Sequence, residues 1–159
     1  MSSVKGIEGT RFEICLPAGR KTAEPPQMTV EEFSPGHETV LLVDDEEMIV
    51  DVGKRMLEKL GYETLTAMNG AEAIEIFQTQ KDKINLVILD MIMPKISGGE
   101  TFDRIKKINP AIKVILCSGY SIDGQATEIL NRGCKAFIQK PFNLKILSQH
   151  IRAVLNNKN

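Results

Sequence analysis

Short apolar runs alternate with amphipathic stretches from residue 37 to the end of the chain. The runs predict strands near residues 39–43, 64–67, 86–89, 113–117 and 135–138. Between and after them, apolar residues recur every three or four positions, which predicts five helices. These positions are Ile49, Val52, Met56 and Leu60; Ala73, Ile74 and Phe77; Phe102 and Ile105; Ala126, Ile129 and Leu130; and Leu144, Leu147, Ile151 and Leu155. The pattern therefore predicts five β/α units.

The predicted strands are almost continuously apolar, which is typical of strands buried on both faces. A parallel sheet with helices on both sides and right-handed crossovers satisfies this pattern. The fold class is therefore expected to be a doubly wound α/β domain.

Four of the predicted strands stop at residues that carry charge or a hydroxyl. The first ends at Asp44 and Asp45, the third at Asp90, the fourth at Ser118 and the fifth at Lys140. The carboxyl ends of parallel strands meet at one edge of the sheet, where such folds bind ligands. We therefore expect these side chains to converge in one pocket.

The residue types in this pocket suit phosphorylation of an aspartate. Carboxylates such as Asp44, Asp45 and Asp90 provide the oxygen ligands that Mg²⁺ prefers. Lys140 can act as a point charge on a phosphoryl group, and the Ser118 hydroxyl can donate a hydrogen bond to it. Taken singly, each residue has an ordinary interpretation as a helix N-terminal acid, a loop residue or a surface charge. Their joint placement at strand ends favours the site.

Composition excludes some classes of partner. The chain has 42% hydrophobic and 26% charged residues and a net charge of -1, so no basic surface for nucleic acid or membrane is expected. No apolar stretch approaches the ~20 residues that span a bilayer. Three cysteines without a CxxC motif favour reduced thiols in the cytoplasm.

Four motifs give residues 38 to about 157 a clear resemblance to the response-regulator receiver domains of two-component signalling. They are LLVDDEE at 41–47, LVILDMIMPKISGGE at 86–100, VILCSGYS at 114–121 and FIQKPF at 137–142. The resemblance implies a flavodoxin-like fold, with a five-stranded parallel sheet in the order 2-1-3-4-5 and five helices.

The resemblance also implies a role for each matching residue of the metal and phosphoryl site. Asp90 is the expected phosphoacceptor. Asp45, Asp90 and the backbone carbonyl of Ile92 are expected to ligate Mg²⁺, with Asp44 assisting through water. Lys140 is expected to contact the phosphoryl group.

Other positions are expected to change conformation on phosphorylation or to set the rate at which the phosphoryl group is hydrolysed. Ser118 matches the switch hydroxyl and Phe137 the switch aromatic. By the same resemblance, Ile92 and Tyr120 are expected to flank the path of a hydrolytic water. Neither is a carboxylate or amide able to orient that water, so slow hydrolysis is expected. His37 and His150 are expected to be an exposed boundary residue and a helix residue, and neither is expected to donate a phosphoryl group.

The segment before residue 37 differs from the rest. The sequence GIEGTRFEICLP at 6–17 resembles the last strand of a histidine-kinase ATPase domain, although Ile7 replaces the first glycine of that motif. We therefore expect residues 1–17 to be that strand, 18–36 to be a disordered linker, and 37–159 to be a receiver domain. This order implies the C-terminal receiver of a hybrid sensor histidine kinase.

The expected function is to accept a phosphoryl group from a histidine kinase or a histidine phosphotransfer domain. Phosphorylation is expected to alter the face formed by the fourth helix, fifth strand and fifth helix, which is compatible with a phosphorylation-dependent dimer. Because the sequence ends after the last predicted helix, no DNA-binding domain and no independent enzyme activity are expected.

Two alternatives remain open at this point. One is a free-standing single-domain response regulator. The other is a Mg²⁺-dependent phosphohydrolase or nucleotide-binding domain. The D-x-D motif expected after the first strand of such a phosphohydrolase is replaced by Asp44-Asp45-Glu46, and the GxxxxGKS phosphate loop expected of a nucleotide-binding domain is not present.

Overall fold

The computed structural model describes residues 36–119 and 124–157, together with Glu13. All but Glu13 belong to the compact unit Glu32–Asn159. The expected kinase strand at 1–17, nearly all of the linker at 18–36 and the position Tyr120 lie outside the described residues.

Five strands alternate with five helices in the described part of the chain. The strands are β1 (Thr39–Val43), β2 (Glu63–Ala67), β3 (Ile84–Asp90), β4 (Lys113–Ser118) and β5 (Ala136–Gln139). The helices are α1 (Glu47–Lys59), α2 (Gly70–Gln80), α3 (Gly98–Ile108), α4 (Gly124–Asn131) and α5 (Leu144–Asn156). Among the residues described, no helix is both long and apolar enough to cross a membrane.

The strands form one parallel sheet in the order β2-β1-β3-β4-β5, which confirms the predicted flavodoxin-like fold. Val43 pairs with Leu89, and Asp90 pairs with Cys117. The ends of β1, β3 and β4 are therefore aligned, and the residues that follow them share one edge of the sheet.

Alternating side chains of the sheet divide the core into two layers. In β1, Leu41 and Val43 join a cluster with α2, α3 and α4, whereas Val40 and Leu42 join a cluster with α1 and α5. Helices cover both faces of the sheet because successive strand residues point to opposite sides.

Helix α1 buries only part of the apolar stripe that the sequence predicts: Leu60 and Met56 pack against the core, but Val52 does not. Its buried residues are Val50, Gly53 and Leu57, whereas Val52 is 47% exposed and Met48 is 78% exposed. A Cβ atom on Gly53 would lie 2.8 Å from a methyl carbon of Leu42, so the glycine allows the helix to approach β1 closely. Part of the predicted stripe is therefore an apolar surface.

Side-chain caps fix the starts of α3 and α5, which follow the loops after Asp90 and Lys140. Ser97 Oγ accepts a hydrogen bond from the Glu100 N–H at the start of α3. Asn143 Oδ1 accepts one from the Ile146 N–H at the start of α5. Each cap satisfies a backbone donor that the first helical turn leaves unpaired.

Candidate functional site

Three acidic side chains meet at the carboxyl edge of the sheet. Asp44 and Asp45 follow β1, and Asp90 is the last residue of β3. One oxygen from each lies within 4.8 Å of the other two. Asp44 is 2% exposed and Asp90 5% exposed, whereas Asp45 is exposed to solvent. The cluster is therefore buried on one side and open at Asp45.

Lys140 bridges the two buried acids. Its Nζ lies 2.5 Å from Asp44 Oδ2 and 2.6 Å from Asp90 Oδ1. Its backbone N–H donates to the Ser118 carbonyl oxygen at 2.7 Å, which fixes the lysine to the end of β4. The lysine that follows the edge strand thus contacts acids from the two central strands.

Burial and the contacts between the bridged groups act in opposite directions on each group, and the pKa of both is raised. Burial raises the pKa of the Asp90 carboxyl above its ordinary value; the hydrogen bond and charge of Lys140 oppose the rise, and Asp44 adds to it. Burial lowers the pKa of the Lys140 ammonium, but its hydrogen bonds to Asp44 and Asp90 outweigh this and raise the pKa. The lysine therefore stays charged.

Backbone contacts hold Asp90 in place. The Ile92 N–H donates to Asp90 Oδ2 at 2.9 Å, and the Met91 N–H donates to the Cys117 carbonyl oxygen at 2.9 Å. The Gly98 N–H then donates to the Met91 carbonyl oxygen at 3.1 Å. A Cβ atom on Gly98 would lie 2.3 Å from the Asp90 carbonyl oxygen, so only glycine allows this approach. The loop after β3 is therefore fixed against the strand end.

The predicted switch residues lie on β4 and β5, the two strands on one side of β3. Ser118 ends β4 and is buried, and Phe137 in β5 is partly buried against the core layer with α2, α3 and α4. Their movement on phosphorylation stays a prediction. Ile92, one of the two residues predicted to tune hydrolysis, is 59% exposed at the rim of the site. Its predicted partner in that role, Tyr120, is outside the described residues.

The acidic cluster has the chemistry of a cation site. Three carboxylates face one ammonium, which leaves an excess of negative charge. Hard divalent cations prefer such oxygen donors, so the residues can hold a metal ion. The cation and Lys140 would together offset the charge of an anionic group that approaches Asp90.

Comparison with known proteins identifies the family. Residues 40–152 match the family described as response regulator receiver domain. The chain belongs to this family. The receiver domain is 38% identical over 104 residues to the chemotaxis protein CheY of Thermotoga maritima, a match that covers 65% of this chain and 85% of that protein.

A sensor kinase and a solved complex are also similar to this receiver chain. The sensor kinase CckA of Brucella abortus is 32% identical over 160 residues, which cover 95% of this chain but only 17% of the kinase. The structure of a CheX-CheY-BeF3-Mg+2 complex from Borrelia burgdorferi superposes with a TM-score of 0.71 at 28% identity. It covers 74% of this chain and 88% of that one.

The structure brings together Asp44, Asp45, Asp90 and Lys140 as the sequence predicts. The Ile92 N–H binds Asp90, whereas metal ligation by the Ile92 carbonyl stays a prediction. Sequence reasoning missed the exposed position of Met48 on α1. Gly53 was the available signal. A glycine in the middle of this helix marks the face that approaches the sheet, and Met48 lies on the opposite face.

We predict that Asp90→Asn stabilises the metal-free protein at neutral pH by about 1 kcal/mol, an ordinary size for one substitution. Because the folded state raises the pKa of Asp90, ionisation of this carboxyl lowers the free energy of unfolding at pH values above its titration. The neutral amide of asparagine removes this destabilisation. The gain should disappear as pH falls to where Asp90 is protonated in both states. Urea unfolding across pH, with exposed Asp82→Asn as control, measures it. A less stable Asp90→Asn protein at neutral pH would contradict this.

Proposed function

We propose that this chain is a phosphoacceptor module of a two-component phosphorelay, in which Asp90 receives a phosphoryl group from phosphohistidine. The observation that carries the proposal is the Lys140 ammonium between Asp44 and Asp90, beside a third carboxylate. A nucleophilic carboxylate that is buried, cation-paired and next to a cation site is suited to attack on an anionic phosphorus.

The transfer exchanges one bond to phosphorus for another. An oxygen of Asp90 attacks the phosphorus as the P–N bond to the imidazole breaks. The electron pair of that bond stays on the imidazole nitrogen, which then takes a proton from solvent. Lys140 offsets the added charge, while the Ile92 N–H orients the carboxylate.

Mg²⁺ is the proposed cofactor. Asp44, Asp45, Asp90 and the Ile92 carbonyl would hold it, and it would supply positive charge against the incoming phosphoryl oxygens. Two observations support the choice: the all-oxygen character of the acidic cluster, and the Mg+2 of the related Borrelia burgdorferi CheX-CheY complex.

Ser118 and Phe137 are the proposed switch. After phosphorylation, the Ser118 hydroxyl would bind the phosphoryl group and Phe137 would rotate inward, which changes the face of α4, β5 and α5. The positions of both residues support this: Ser118 ends the strand next to Asp90, and Phe137 lies on the neighbouring strand β5. A dimer formed through this face, without nucleic acid as a direct partner, fits the proposal.

An apolar surface near the site supports docking of a helical histidine donor. Met48 and Val52 lie one turn apart on α1, which begins just after the acid pair. Ile146 is 37% exposed in the first turn of α5, and α1 and α5 cover the same side of the sheet. These side chains would contact a phosphohistidine helix at the mouth of the site.

The extent of similarity supports a hybrid-kinase origin. Residues 37–159 make up about three quarters of the chain, so a match to CckA over 95% of it must extend into the preceding segment. We therefore propose that residues 1–17 are the end of a kinase ATPase domain and 18–36 a linker. The buried free thiols Cys117 and Cys134 fit the proposed cytoplasmic location. A free-standing regulator is the alternative.

Acetyl phosphate with Mg²⁺ should add one phosphoryl group to the wild-type chain, as measured by intact mass. Asp90→Asn should abolish the addition because the nucleophile is lost, whereas the exposed control Asp82→Asn should behave as wild type. Phosphate release without a phosphorylated chain would instead indicate a phosphohydrolase and refute the proposal.

Met48→Asp should slow phosphoryl transfer from a phosphorylated histidine phosphotransfer protein about tenfold, the effect of losing one strong interface contact. Its rate with acetyl phosphate should be unchanged, because a small donor needs no docking surface. Gln78→Asp adds the same charge at an exposed position on α2 and serves as control. Equal transfer rates for both variants would place the docking surface elsewhere.

Phosphorylated Asp90 is expected to hydrolyse slowly, because Ile92 is aliphatic and Tyr120 bulky, and neither is a carboxylate or amide able to orient an attacking water. Ile92→Asn combined with Tyr120→Glu should therefore lose phosphate several times faster than wild type, roughly the effect of supplying one polar group to position the water. Phosphate loss with Mg²⁺ is followed by intact mass. Ile146→Asn is the control for replacing an exposed aliphatic residue, and identical rates in all three proteins would exclude this role.

A further inference from the structure

A partly buried ion pair joins the start of the domain to its last helix. The two terminal guanidinium nitrogens of Arg152 on α5 donate to the Glu38 carboxylate, Nη1 to Oε1 and Nη2 to Oε2, each at 3.1 Å. The two side chains are 20% and 22% exposed, and the residues are 114 positions apart. Paired, planar contacts of this kind are geometrically demanding, since both bonds form in only one arrangement.

Tyr62 also contacts the Arg152 guanidinium, through the face of its ring. The Arg152 guanidinium carbon lies 5.1 Å from the centre of the Tyr62 ring. A Cβ atom on Gly36 would lie 2.2 Å from the same ring, and the Gly36 N–H donates to the Leu60 carbonyl oxygen at 2.8 Å. We call Gly36, Glu38, Tyr62 and Arg152 the junction clamp, because they hold the point where the chain enters the domain.

Helix α5 connects the junction clamp to the phosphorylation site. It begins at Leu144, shortly after Lys140, and its start is fixed by the Asn143 cap. Arg152 lies about 12 Å farther along the helix axis, at 1.5 Å per residue. A movement of Lys140 that shifts the start of α5 would therefore move Arg152 as well.

We propose that the junction clamp couples phosphorylation of Asp90 to the start of the domain at Gly36, and that phosphorylation loosens the clamp. This inference rests on the proposed function. In the structure, Lys140 is bound to Asp44 and Asp90 while the clamp is closed. A phosphoryl group on Asp90 gives Lys140 a new partner, and a shift of about 1 Å in α5 takes the 3.1 Å contacts beyond hydrogen-bond range.

The coupling must act in both directions. If phosphorylation weakens the clamp, then a weakened clamp favours phosphorylation by the same free energy. The clamp would therefore let the charge state of Asp90 change how firmly Gly36 is held at the start of the domain.

Amide hydrogen exchange of Gly36 in the full chain tests the proposal, with acetyl phosphate and Mg²⁺ as the phosphoryl source. In wild type, phosphorylation should speed this exchange at least about threefold, because local opening becomes easier. Glu38→Gln and Arg152→Lys should reach the faster rate without phosphorylation, since each removes the paired contact. Both should also show a larger phosphorylated fraction by intact mass.

Asp51→Asn is the matched control, because it breaks the exposed pair between Asp51 and Arg55 on α1, whose side chains are 67% and 80% exposed. It should behave as wild type in both measurements. A phosphorylated wild-type chain with unchanged Gly36 exchange would overturn the coupling alone. A wild-type chain that takes up no phosphoryl group would overturn the proposed function and the coupling with it.

Discussion

The contact of Lys140 with two buried carboxylates is the interaction on which the site depends. Asp44 and Asp90 are nearly inaccessible to water, and ionised groups in such places are costly unless a cation compensates them. One ammonium compensates part of the charge of three acids. The remaining negative charge is what the proposed Mg²⁺ would offset, so that an anionic phosphoryl group could approach Asp90.

The strand order explains how a single lysine reaches both acids. Lys140 follows edge strand β5, and its backbone bond to Ser118 attaches it to the end of β4. From there its side chain extends past β4 to Asp90 on β3 and to Asp44 after β1. The parallel arrangement thus brings three segments that are distant in sequence into one charge cluster, and α5 begins four residues after the lysine.

The fold and the membership of the site could be predicted because both depend on regular patterns. Apolar runs define strands, parallel strands share an edge, and the polar residues that end them must therefore meet. Asp44, Asp90 and Lys140 were identifiable on this basis. Periodicity could not show that Lys140 binds both buried acids, because the partners of one charge depend on side-chain geometry.

Contacts outside this regular pattern left little trace in the sequence. The exposed face of α1 could not be predicted, because Val52 has the same helical spacing as a core residue. Only the packing of Gly53 against Leu42 shows which face of the helix is buried. Glu38 and Arg152 were unpredictable as a pair because two charged residues 114 positions apart have no local signal. Long-range polar contacts depend on the assembled tertiary structure.

A carbon-13 NMR titration of the Asp90 carboxyl in metal-free protein measures directly how burial and Lys140 set the charge of the site. We expect a pKa above the ordinary aspartate value, a further rise in Lys140→Met, and a fall when Mg²⁺ is added to wild type. An Asp90 pKa at or below the ordinary value that responds to neither Lys140→Met nor Mg²⁺ would contradict the central role of this contact.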